Sequence, residues 1–109
     1  MSATFKQEIV QRITRTFLDI LILRLVQTEP MWGYYVKKKV EKKFGVKLRH
    51  GALYPLLNNL EMNGYLRSRK EAHGGRIRKV YEITSKGIQV VEAYNEFLKE
   101  QLHMRDIKE

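Results

Sequence analysis

The chain has 109 residues, 43% of them hydrophobic and 30% charged, with 21 Lys and Arg against 12 Asp and Glu and no cysteine. About 100–150 residues is the usual size of one compact unit, so a second, catalytic domain is excluded, and without thiols there is no disulfide framework, cysteine zinc site or thiolate nucleophile. The formal charge of +9 asks for a polyanionic partner, either nucleic acid or an anionic membrane surface.

Where the charge sits separates these. Residues 32–48 carry six basic side chains against one acidic, and residues 65–84 six against two, whereas 1–31, 49–64 and 85–109 are close to neutral. The pattern is a basic centre between two packing segments, read as a single domain over 1–109. The start, MSATFKQEIVQRI, lacks a basic stretch followed by an uninterrupted apolar run, so no secretory signal is expected and a cytoplasmic location fits. The most apolar run, FLDILILRLV at 17–26, contains Asp19 and Arg24 and falls well short of the ~20 apolar residues that span a bilayer. It predicts a buried helix, and membrane binding is not expected.

Phe5, Ile9, Ile13, Phe17 and Leu21 recur at a helical period, predicting one long helix or two successive stretches closed by Glu29-Pro30. Trp32, Val36, Val40 and Phe44 form the buried stripe of a second helix, with Lys37, Lys38, Lys39, Lys42 and Lys43 on its remaining surface and Gly45 at its C-terminal stop. In HGALYPLLNNLEMNG, Leu53, Leu56, Leu57 and Leu60 make the apolar face of a third helix. Its opposite face shows Pro55, Asn58 and Asn59, with Ala52 and Tyr54 at the edges. Pro55 is cheap only in a first turn, which predicts that the helix starts near Gly51 or bends there. Beyond Gly64 two basic runs flank Gly74-Gly75, a two-stranded hairpin with a basic tip. Thr84 is the expected N-cap of a last helix whose apolar stripe is Val90, Val91, Tyr94, Phe97, Leu98 and Leu102. That stripe needs a partner, and the neutral N-terminal helix, of the same chain or a second one, is the obvious candidate.

The fold class expected is therefore mainly α with a small β-hairpin: N-terminal helices and a winged helix-turn-helix over 5–84, followed by a C-terminal helix over 85–109. A helix with one leucine-rich and one small polar face can rest on a core while its outer face enters a major groove about 12 Å wide. An Arg-rich hairpin beside it can reach phosphates or the minor groove.

Three blocks carry a closer likeness: WGYYVKKKVE at 32–41, HGALYPLLNNLEMNGYL at 50–66 and GRIRKVYEITSKG at 75–87. With them the chain resembles the PadR family of winged-helix transcriptional regulators, in a compact form with a single C-terminal helix. The resemblance implies a homodimer, the last helix packing on the first helix of the other subunit, that binds a pseudo-palindromic operator and usually represses. It places Tyr54 at the family tyrosine near the start of the recognition helix and Arg76, Arg78 and Lys79 at its wing positions. Where the family often has Ser or Thr, this chain has Arg49 and Ala52; Arg49 and His50 could supply different readout, Arg preferring guanine.

The expected DNA-contacting residues are Lys37, Lys38, Arg49, His50, Ala52, Tyr54, Asn58, Arg76, Arg78 and Lys79. The expected dimer interface is Phe5, Ile9, Ile13, Val91, Tyr94, Phe97, Leu98 and Leu102. Trp32, Tyr94 and Phe97 are candidates to line a pocket for a small aromatic effector, which makes a dimeric sensor an alternative; a winged helix used for protein or RNA contacts is another. His50, His73 and His103 are too scattered for a metal motif, and Ser2, Ser68 and Ser85 stand in no catalytic setting, so neither metal, cofactor nor enzymatic activity is expected.

Overall fold

In the computed structural model, which describes residues 2–104, the chain runs α1 (Ser2–Thr16), α2 (Leu18–Thr28), β1 (Met31–Trp32), α3 (Gly33–Phe44), α4 (His50–Met62), β2 (Leu66–His73), β3 (Arg76–Ile83) and α5 (Ser85–His103). Met1 and residues 105–109 of the expected domain and terminal helix lie outside the described residues.

The N-terminal apolar period resolves into two helices. Phe17 leaves helical geometry at φ −110° and ψ 27°. Its N–H still bonds the Ile13 carbonyl at 2.8 Å, so the chain turns without losing its ladder. α2 is apolar nearly all round because it is central: it packs against α1, α3, α4, α5 and β3 and buries Leu21, Ile22, Leu23, Leu25 and Val26. It stops where Glu29, ahead of Pro30, is driven to an extended conformation. Val36 and Val40 of α3 and Leu53 and Leu57 of α4 are fully buried against it. Each such side chain contributes roughly 1.5–3 kcal/mol. α3 ends on Gly45 at φ +66°, a left-handed conformation that favours glycine, and its N–H closes on the Glu41 carbonyl. The Glu41 carboxylate then accepts the Leu48 N–H at 2.9 Å, tying down the loop into α4.

The expected hairpin, β2 and β3, gains a third strand that the sequence did not announce: Met31 and Trp32 pair antiparallel with Tyr81 and Val80, giving the order β1-β3-β2. Trp32 therefore belongs to the sheet rather than to the buried stripe of α3. This short strand covers the otherwise open edge of β3, so Val80 and Tyr81 are buried in succession and the simple in-out alternation is lost. α4 begins at His50 after Arg49, within a residue of the expected start near Gly51, although Pro55 itself falls beyond its first turn. There it gives up one helical hydrogen bond from an exposed face.

The hairpin turn is as expected. His73 pairs with Arg76 across Gly74 and Gly75, both at positive φ (55° and 80°), as a two-residue type I′ loop demands. At the start of α5 the Thr84 hydroxyl accepts the Gly87 N–H at 3.1 Å and donates to the Gly64 carbonyl at 2.6 Å, joining the helix to the end of α4.

Candidate nucleic-acid interface

α4 buries Leu53, Leu57 and Leu60, which turns Ala52, Tyr54, Asn58 and Asn59 outward. The position of Tyr54 is set on two sides. Its ring lies so close to Gly33 that a Cβ there would come within 2.9 Å of the tyrosine Cε1. The His50 ring stacks on it at a centroid distance of 5.8 Å and an interplanar angle of 9°. Arg49 and His50 flank the start of α4, where no side chain caps the helix and the first turn holds no acid.

The wing is braced by its own charges. The Arg78 guanidinium sits 4.6 Å from the centre of the Trp32 ring, whose neighbours are also His73 at 4.5 Å, edge-on, and Tyr35 at 5.3 Å. Lys79 Nζ lies 3.5 Å from Glu61 Oε1, and Glu61 Oε2 accepts the Ser68 hydroxyl at 2.5 Å. The Ser68 hydrogen bond, helped by Lys79, holds the Glu61 carboxyl below the ordinary carboxylate value. On the exposed face of the hairpin Arg67 bonds Glu82 at 2.6 Å, while Arg69 bonds Glu71 at 2.6 Å and Glu82 at 3.2 Å. The Glu82 carboxyl is lowered chiefly by Arg67, and that of Glu71 chiefly by its bond from His73. Arg76 stands exposed at the tip, and Ile77 beside it is 73% exposed.

One groove of about 470 Å³ joins these parts; its walls include Trp32 and Tyr34 from the β1–α3 junction, Tyr54 and Asn58 from α4, and Arg78 and Lys79 from β3. Lys38 stands over Tyr34, with Nζ 5.4 Å from its ring centre, whereas Lys37 on the same helix is half-buried. Arg49 and Ala52 line a different groove, shared with Arg15 and Lys47. The contribution of Gly33 was missed at the sequence level. Its signal was present, a glycine as the first residue of a helix directly after Trp32, where a side chain would be the cheaper choice.

The expected dimer residues divide. Phe5, Ile9, Ile13, Phe97, Leu98 and Leu102 are exposed large apolar side chains. Val91 is not available to a second subunit: it is 3% exposed and belongs to the core of its own chain, because the first half of α5 packs on α2. Tyr94 is half-buried with its ring 5.8 Å from Phe17 and under Arg24. Trp32 has a separate set of neighbours in the sheet, so a single chain does not gather Trp32, Tyr94 and Phe97 around one cavity. No helix among the described residues is long and apolar enough to cross a membrane.

A helix-turn-helix, α3 and α4, with a β-hairpin wing packed beside the outer face of its second helix defines the winged-helix class of DNA-binding transcription regulators. Residues 22–93 match the Transcriptional regulator PadR-like family, and the chain belongs to it. The structure is similar to that of a PadR family transcriptional regulator from Eggerthella lenta: TM-score 0.70 and 27% identity, covering 99% of this chain and 97% of that one. It is also similar to a transcriptional regulator from Clostridium thermocellum, with a TM-score of 0.71 and 26% identity over 89% of this chain and 99% of that one. A PadR-like transcriptional regulator from Bacillus cereus, at 24% identity and a TM-score of 0.73 over 90% of this chain and 99% of that one, shares the fold. No curated protein matches the chain.

Proposed function

We propose that this regulator is a homodimeric, sequence-specific repressor that binds a pseudo-palindromic operator in duplex DNA. The observation that carries the reading is the groove between α4 and the wing, where Tyr54 and Asn58 face Arg78 and Lys79. A polar helix face suits base edges, and Arg78, which has no carboxylate partner among the described residues, suits the phosphates of the flanking strand. Two copies are inferred from the exposed apolar side chains of α1 and α5, which a lone chain leaves in water.

Salt titration on a mixed-sequence duplex tests this. Neutralising about six to eight phosphates per dimer gives a slope of log affinity against log salt of roughly −5 to −7. Replacing Arg76 at the wing tip with Ala weakens binding to all sequences alike, whereas a change at His50, stacked on Tyr54, alters sequence preference. Binding that ignores salt, or no binding, overturns the proposal.

A further inference from the structure

The basic side chains of the wing are largely spoken for. Of the six in β2 and β3, Arg67, Arg69 and Lys79 are ion-paired and Arg78 lies on Trp32, leaving Lys70 and Arg76 without an ion-pair or aromatic partner among the described residues. A cation already paired with a carboxylate must give up that partner to take a phosphate, so it adds little net charge neutralisation.

A second basic cluster has no such internal partners. Arg15 at the end of α1, Lys47 in the α3–α4 loop and Arg49 at the start of α4 line one groove of about 310 Å³ together with Thr14, Leu18 and Ala52. All three cations are exposed, no acidic side chain lines the groove, and none of the three makes an ion pair among the described residues. Their positions are held by the fold: the loop carrying Lys47 is tied by the bond from Leu48 N–H to Glu41, and Leu48 itself is buried. Arg15 is about 160° round α1 from Ile13, so it points away from the apolar stripe that a second subunit would cover. The groove also lies beside Ala52 on α4, at the opposite end of the helix from Glu61, which anchors the wing.

We infer that the Arg15–Lys47–Arg49 groove is a second phosphodiester-binding site, which holds the DNA backbone at the N-terminal end of the recognition helix and supplies more of the salt-dependent affinity than the wing. The inference rests on the proposed duplex-DNA reading. It assigns a phosphate-binding role to Arg15 and Lys47, on an element and a loop outside the wing.

The test compares the full chain with Arg15→Ala/Lys47→Ala on one mixed-sequence duplex across a salt series, alongside Arg67→Ala/Glu82→Gln, which removes one whole ion pair, as the paired-wing control. Every phosphate that is no longer neutralised lowers the steepness of log affinity against log salt by about 0.9. The groove variant is expected to lose about two such steps per subunit and at least tenfold in affinity at low salt, with unchanged ranking among duplex sequences; the wing control loses less than half as much slope. The charge-keeping variant Arg15→Lys/Lys47→Arg retains the parent slope, and circular dichroism confirms folding of each. If the parent slope is steep and the groove variant keeps it, the inference is overturned while the DNA-binding reading stands. An equal or greater loss in the wing control also overturns it. A parent that binds duplex with no salt dependence overturns the reading itself, and the groove assignment with it.

Discussion

Gly87 shows how tightly one residue can be specified. A Cβ at this position would lie 2.3 Å from the Tyr65 carbonyl oxygen and 2.7 Å from Ile83 Cγ1, contacts that backbone cannot relieve cheaply. Gly87→Ala is therefore expected to destabilise the chain by roughly 1–3 kcal/mol, read as a lower urea midpoint with an unchanged slope. Glu61 is a second such point, because it bonds both Ser68 of β2 and Lys79 of β3. Its folded-state carboxyl lies below the ordinary value of 4.5, so its stabilising contribution is present above that value and is lost as the pH falls through the lower folded one. Thermal melts should show the parent losing stability on acidification below about pH 4.5, and Glu61→Gln should flatten that limb. An unchanged acid limb in the variant would remove Glu61 from this account.

Among the elements, the recognition helix, the wing and the last helix are locked together by a few polar contacts at their ends. Thr84 does this for α5, capping Gly87 while its own hydroxyl proton goes to the Gly64 carbonyl. Thr84→Val keeps the shape and removes both bonds, with an expected loss of about 1–2 kcal/mol and faster amide exchange in the first turn of α5. The helix order, the Gly45 stop, the Gly74-Gly75 turn and the Thr84 cap were legible in the sequence, since each depends on residues close along the chain. The strand at Met31–Trp32 was not. Two residues carry no period, and they pair only because β3, about 50 residues later, presents an open edge to them. Pro55 placed the start of α4 to within a residue, and packing of Leu53, Leu57 and Leu60 carries the helix on through it.

Taken whole, a body of 60 × 33 × 20 Å bears apolar residues along α1 and the distal half of α5. Phe97 is 52% and Leu98 39% exposed in the single chain, so changing them should not disturb its core. Phe97→Glu/Leu98→Glu is expected to yield folded monomers by light scattering, with duplex affinity reduced at least ~10-fold because two half-sites no longer act together. Retention of a dimer would place the subunit contact elsewhere. Val91 gives the counterpart: Val91→Ala should lower stability by roughly 0.5–3 kcal/mol without changing the oligomeric state, since this residue packs within its own chain.

Residue types and short spacings were enough for the class: the apolar periods, the turn residues and the linked blocks from 32 to 87 identify a winged-helix regulator, and the split of the +9 charge puts its basic side chains in the middle. Which cations are already paired and which are free was settled by tertiary packing alone. It set Arg78 on Trp32 and Lys79 beside Glu61, and it brought Arg15 to Lys47 and Arg49 from some thirty residues away. The difference arises because a charge is fixed by its residue, whereas its available interaction energy depends on which neighbours reach it across the fold.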